Sequence, residues 1–146
     1  MYKFAILDTE FTSWKGSLER NWRLEWEKKE IINIACIKFN SFEDVYLRRI
    51  NLYCRTNKIK PLPIYIQKLT KIDENKLNSY GLSFKESLRK LNHFLFDVNI
   101  IFVNGLDRDI LIENCNYNKI IYPSYLKKFY NLRPVFSKFL KKKENK

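Results

Sequence analysis

Four apolar residues, Phe4-Ala5-Ile6-Leu7, run directly into Asp8-Thr9-Glu10 near the start of the chain. The run is short and apolar, which predicts a buried β-strand over about Lys3 to Thr9. Side chains at i and i+2 of a strand share a face. Asp8 and Glu10 therefore converge on one point. Two carboxylates held together repel unless a cation lies between them, and an all-oxygen ligand set favours Mg²⁺ or Mn²⁺. Taken by itself, Asp-x-Glu also fits a solvated strand end.

The rest of the chain alternates strand and helix patterns. Further strands are predicted over about Glu30 to Phe39 and Val45 to Cys54, close enough for a hairpin. Pro61 and Pro63 mark a loop over Lys58 to Pro63. Short helices follow over about Ile64 to Thr70 and Asp73 to Ser79. Ser83 and Glu86 form a capping-box signature, and Phe84, Leu88, Leu91 and Leu95 keep helical spacing behind it. Ile100 to Val103 reads as another buried strand, Asp107 to Tyr117 as a helix and Asn131 to Leu140 as a last helix. Strands followed by helix, strand and helix predict a mixed α/β layer. In that layer the helix start after Val103 lies near the end of the first strand, so Asp107 faces Asp8 and Glu10. An acid in a first helical turn is also what the helix dipole favours, for Asp107 and Asp109 alike.

Length and composition fit one domain over residues 1–140 with a basic, solvated tail over 141–146. Apolar content of 45% and aromatic content of 16% argue against disorder. No apolar stretch approaches the roughly 20 residues of a transmembrane helix, and no signal peptide precedes the first strand. Cys36, Cys54 and Cys115 have no metal-ligand spacing. Their odd number and apolar neighbours suit buried thiols in a reducing cytoplasm. The net charge of +12 is uneven. Residues 116–146 carry +8, which suits a polyanionic partner, although a Lys-rich compositional bias gives the same count. With only three glycines there is no phosphate-cradling Gly-rich loop. No Cys/His set suits zinc, and no Ser-His-Asp arrangement is readable.

Several segments carry a family likeness in the family's order. Leu7-Asp8-Thr9-Glu10-Phe11-Thr12, the strand from Glu30 to Ile37, Ile66 to Asp73, the helix from Phe84 to Phe96, and Asn104-Gly105-Leu106-Asp107 with Leu111 and Cys115 resemble the DEDD-type 3'-5' exonuclease superfamily. The spacing is most similar to its branch that trims RNA 3' ends. The resemblance covers about residues 1 to 140. It implies an RNase H-like fold with a mixed sheet flanked by helices. It also implies phosphodiester hydrolysis at two metal ions, Mg²⁺ or Mn²⁺, about 3.5–4 Å apart. By that likeness Asp8 bridges both ions, Glu10 holds the nucleophile-side ion and Asp107 acts on the leaving-group side. Asp107 is preferred to Asp109 because only it keeps the family's interval to Leu111. The implied partners are single-stranded RNA or DNA 3' ends; many relatives dimerise, so a homodimer is one assembly the resemblance allows, and the sequence does not choose the oligomeric state.

The chain departs from the family in one respect. Members carry a third motif near the C-terminus, with a His or Tyr base and a fourth carboxylate. After Glu113 this sequence holds no Asp or His, and its only acid is Glu144. His93 lies mid-helix upstream of Asp107, where a packing or surface role is expected. Tyr122, Tyr125 and Tyr130 lack the spacing of a base. The expectation is a C-terminally truncated domain, and the alternative to an active nuclease is an impaired module that binds nucleic acid or a protein. Phe11 is the leading candidate for contact with a terminal nucleotide, joined by Thr12, Trp14, Asn104 and Lys71. Trp14, Trp22 and Trp26 alternate with Arg20 and Arg23, a pattern that serves base stacking. Trp22 and Trp26, four apart, fit equally a helical turn packed on the core.

Overall fold

A computed structural model describes residues 2–40 and 46–144. Its centre is a five-stranded mixed sheet in the order β3-β2-β1-β4-β5. The strands are β1 (Lys3–Phe11), β2 (Ile31–Asn40), β3 (Tyr46–Tyr53), β4 (Ile100–Val103) and β5 (Phe129–Asn131). β1 pairs antiparallel with β2 and parallel with β4, and β4 pairs parallel with β5. β2 and β3 pair antiparallel, as a hairpin requires, while the connection expected there falls on residues 41–45, outside the described residues.

The helices are α1 (Ser17–Arg20), α2 (Ile64–Thr70), α3 (Glu74–Tyr80), α4 (Phe84–Leu95), α5 (Asp107–Tyr117) and α6 (Arg133–Glu144). α4 starts on the capping box read from the sequence: the Ser83 side chain accepts from Glu86 N, and Glu86 accepts in return from Ser83 N. Its stripe of Phe84, Leu88, Leu91 and Leu95 is buried against one face of the sheet, together with Ile110, Leu111 and Cys115 of α5. Ala5, Leu7, Ile34, Cys36, Ile101 and Val103 meet them from the strands. All three cysteines are buried free thiols. Burial raises Cys36 to about 12 and Cys54 to about 11, so both stay protonated.

A smaller core joins α2 and α3 to β2 through Ile32, Leu62, Ile66, Ile72 and Leu77. The loop leading to it is organised by Glu30. This buried carboxylate accepts from the backbone N–H groups of Asn57 (3.0 Å), Lys58 (2.9 Å) and Ile59 (2.7 Å). No described helix is long and apolar enough to cross a membrane.

Three expectations need correction. β1 is half-buried rather than fully buried: Ala5, Leu7 and Thr9 face the helices, whereas Ile6 and Asp8 are exposed on the other face. A continuous apolar run cannot reveal that only one face of its sheet is covered. The segment Phe129–Asn131, partly assigned to a helix, is the edge strand β5, extended by its pairing with β4. Three residues are too few to show a period. Finally, α6 continues to Glu144, so the tail expected from residue 141 begins as helix.

Candidate active site

β1 ends beside the start of α5, and this junction gathers the acids. Asp8 and Glu10 project from the face of β1 opposite the helical layer, as the strand period requires. Asp107, the first residue of α5, is buried and reaches β1 from the neighbouring parallel strand's loop. Its Oδ1 accepts from Thr9 N (2.9 Å) and from Thr9 Oγ1 (2.8 Å). Thr9 thereby anchors the Asp107 carboxylate at the end of β1.

The three acids feel one another. Burial raises the Asp8 carboxyl above the usual carboxylate range, and the Asp107 charge adds to it. Glu10 is raised by burial, then by Asp8 and Asp107. A cluster of this kind has the hard-oxygen chemistry of a Mg²⁺ or Mn²⁺ site. Among the described residues, however, no three His, Cys, Asp or Glu side chains are already gathered into a cage. Asp8 and Glu10 fit as direct ligands, and Asp107 fits through its second oxygen or through water.

A carboxyl whose folded pKa is raised binds more protons in the folded state, so stability falls as pH rises through that raised value. In the absence of divalent metal, Asp8→Asn is expected to stabilise the protein at neutral pH. The screened, half-exposed site limits the gain to about 0.5 kcal/mol. Thermal melts in EDTA would show the wild type and variant converging as pH drops below the acid range.

The cleft beside Asp8 and Asp107 encloses about 150 Å³. Phe11, Leu18, Trp22 and Leu106 form its apolar wall, and Asn104 and Arg133 its polar rim. Trp22 packs on Phe11 at 5.5 Å, and its indole N–H is buried without a partner. Arg133 donates to Asn104 O at 2.8 Å. It crosses Gly105, whose φ of +141° and lack of Cβ permit that approach: a Cβ there would lie 2.5 Å from an Arg133 nitrogen. Gly105→Ala should therefore cost about 1–2 kcal/mol through backbone strain, read as a lower urea midpoint.

Of the sequence-derived substrate residues, Phe11 and Asn104 line the cleft and the others do not. Thr12 is fully buried, donating to Lys28 O and accepting from Glu30 N (2.9 Å), so it ties the strand to the following loop. Trp14 stacks edge-on against Trp26 at 5.0 Å, outside the cleft. Lys71 is the left-handed C-cap of α2, and its carbonyl accepts from Lys76. The helical turn considered for Trp22 and Trp26 is absent: Trp22 lines the cleft and Trp26 is exposed.

Tyr122 donates to Asn116 (2.6 Å), Tyr125 is buried in the core and Tyr130 is exposed on β5. None of these lines the cleft, and His93 stacks on Phe96 away from it. Leu18, Leu106 and Arg133 escaped the sequence reading. Arg133 lies in the segment read as the last helix, and nothing local marks it as a cleft residue.

The RNase H-like sheet with acids at this strand end defines a nuclease. The chain belongs to the RNase T exonuclease family, which matches residues 5–145. Solved structures agree on the fold. Cell-death related nuclease 4 superposes with a TM-score of 0.79 at 15% identity over 96% of this chain and 48% of its own. The nuclease domain of 3'hExo, a DEDDh family member bound to rAMP, gives 0.80 at 20% over 95% and 70%. E. coli exonuclease I in complex with a dT13 oligonucleotide gives 0.66 at 15% over 90% and 28%. The chain thus spans about half the length of cell-death related nuclease 4. No curated protein matched the sequence.

Proposed function

We propose that the protein is a metal-dependent 3'-5' exonuclease acting on single-stranded nucleic-acid ends. The observation that carries this reading is the pairing of Asp8 and Glu10 on one strand face, with Asp107 close enough to raise both. A divalent cation held there would supply the Lewis acidity that phosphodiester hydrolysis needs. Asp8 and Glu10 would hold it, and Thr9 fixes the Asp107 carboxylate beside the same strand end. Phe11 and Trp22 offer an aromatic wall for the terminal base. Arg133 places a cation at the rim for a backbone phosphate.

A second reading is a strand-end-binding module without turnover. It is favoured by the absence of a gathered three-ligand cage among the described residues. The test uses single-stranded RNA and DNA oligonucleotides carrying the label at either end, with Mg²⁺, Mn²⁺ or EDTA. Stepwise shortening from the 3' end that requires metal is the expected result. Metal-independent binding without shortening would favour the module, and cleavage from the 5' end would overturn both.

Arg133 is expected to matter for binding before chemistry. Arg133→Gln should weaken single-stranded RNA binding and flatten the slope of log K against log salt by about 0.7, the share of one phosphate contact. Anisotropy titrations across salt concentrations measure this directly.

A further inference from the structure

The sheet edge opposite β5 carries a groove that shares no residue with the cleft. β3 is the outer strand there, and α4 packs beside it. The groove between them encloses about 360 Å³. Arg48 of β3 and Arg89, Lys90 and His93 of α4 line it, together with Ile50 and Phe94. Among the described residues no acid does. The nearby acids are engaged elsewhere. Glu86, the one acid of α4, accepts from Ser83 N at 3.0 Å and from Ser83 Oγ at 2.8 Å. It feels the Arg89 charge without forming an ion pair. Asp97 accepts from Lys3 and, at 2.8 Å, from Lys38. Arg48, Arg89 and Lys90 thus have no ion pair with a described residue.

Edge strands often carry cations that prevent pairing with another sheet. That accounts for Arg48 and its neighbour Arg49, but not for Arg89 and Lys90, which belong to a helix. On α4, Lys85 and Arg89 stand four residues apart, a like-charge pair that weakens the helix. Both also line an adjoining groove between α4 and Ile120 and Ile121, and no acid lines that groove either among the described residues. Cations gathered at such a cost, without a counter-charge, suit a ligand with repeated negative charges.

We propose that the β3–α4 groove holds the phosphate backbone of a single-stranded nucleic acid, several nucleotides away from the terminus seated in the cleft. The inference rests on the reading of the chain as a nuclease of strand ends. Arg48 and Arg89 suit phosphate through their forked donors, and Ile50 and Phe94 add apolar surface for the sugar and base beside it. The sheet register gives the separation. Arg48 pairs with Lys38, and Lys38 with Ala5, three residues before Asp8. The groove is therefore offset from Asp8 by roughly 10 Å along the strands and roughly 10 Å across two strand gaps. It also lies on the helical side of the sheet, whereas Asp8 opens on the other. A strand joining the two rounds the end of β3, where Tyr53 stands in register with Asn33 and Glu10 and the exposed Arg55 follows.

The test measures binding by anisotropy in EDTA, so that turnover plays no part, with an unstructured single-stranded RNA of about 16 nucleotides. Arg48→Gln combined with Arg89→Gln removes two phosphate contacts. The slope of log K against log salt is expected to fall by about 1.4, and curves that meet at about 1 M salt should stand about 25-fold apart at about 0.1 M. With a strand of about four nucleotides, too short to reach from cleft to groove, the two proteins should bind alike. Lys127→Gln combined with Lys138→Gln removes the same charge from exposed sites outside the groove and should leave the slope near that of the wild type. Circular dichroism verifies that each variant folds. An unchanged slope in the groove variant would overturn the proposal. So would an equal fall in the control variant, or a gap that persists with the short strand. If the end-labelled assay shows no shortening while the slope still falls, the groove stands and the nuclease reading fails.

Discussion

Asp8→Asn is expected to abolish exonucleolytic shortening and, in the same protein, the stabilisation that divalent metal brings. A ligand that binds only the folded state at 100 times its Kd stabilises by about 2.7 kcal/mol. For a domain of this size that corresponds to a rise in Tm of about 5–10 °C. The wild type should show this rise with Mn²⁺, whereas Asp8→Asn should show a flat response. The substitution keeps the side chain's shape and removes one charge from the strand end, where Asp8, Glu10 and Asp107 influence one another's charge. Loss of shortening with the metal response intact would move the ion elsewhere. Loss of the metal response with shortening intact would remove metal from the reaction. The pairing of the two readouts separates a broken site from a broken fold, because the metal-free melt of Asp8→Asn is expected to be slightly higher than that of the wild type.

The second large effect lies outside the cleft. Glu30→Ala should destabilise the protein by about 3–4 kcal/mol. Its carboxylate is buried and satisfies the backbone donors of Asn57, Lys58 and Ile59, while its own N–H donates to Thr12 Oγ1. Removing the carboxylate leaves three donors without their partner, and a buried unsatisfied donor costs about 1–3 kcal/mol. Part of that is recovered because the loop can open to water. Glu30→Gln, which keeps one acceptor, should lose less. Equilibrium urea unfolding gives both numbers, and equal losses for the two variants would rule out hydrogen bonding as the cause. The loop also positions α2 and α3, so the smaller core of Ile32, Leu62, Ile66, Ile72 and Leu77 should loosen first. Hydrogen exchange would register this as faster exchange in α2 and α3 than in α5.

Residues acting over short sequence distances were legible without a structure. The i, i+2 geometry of a strand puts Asp8 and Glu10 on one face whatever the strand pairs with. The capping box at Ser83 and the stripe behind it define α4 in the same local way. α2 over Ile64–Thr70 and α5 over Asp107–Tyr117 also start and stop where the sequence places them. Asp107 required the family likeness, since the dipole favours Asp109 equally at that helix start.

What remained hidden depends on contacts between distant segments. Thr12 looks like a site residue because it is two positions from Glu10, yet the chain turns after β1 and buries it against Lys28 and Glu30. Trp22 enters the cleft because residues after α1 leave the helix, bringing its ring to Phe11. Arg133 reaches Asn104 only because β5 adds to the edge of β4, a pairing that three residues cannot announce. The sequence alone determined the first four strands and the helices α2 to α5, the acidic strand end and the family. The tertiary structure alone decided which polar side chains face the cleft, and that one face of the sheet stays open. Local periodicity records which side of an element is apolar, whereas only the packed chain shows whether anything covers it.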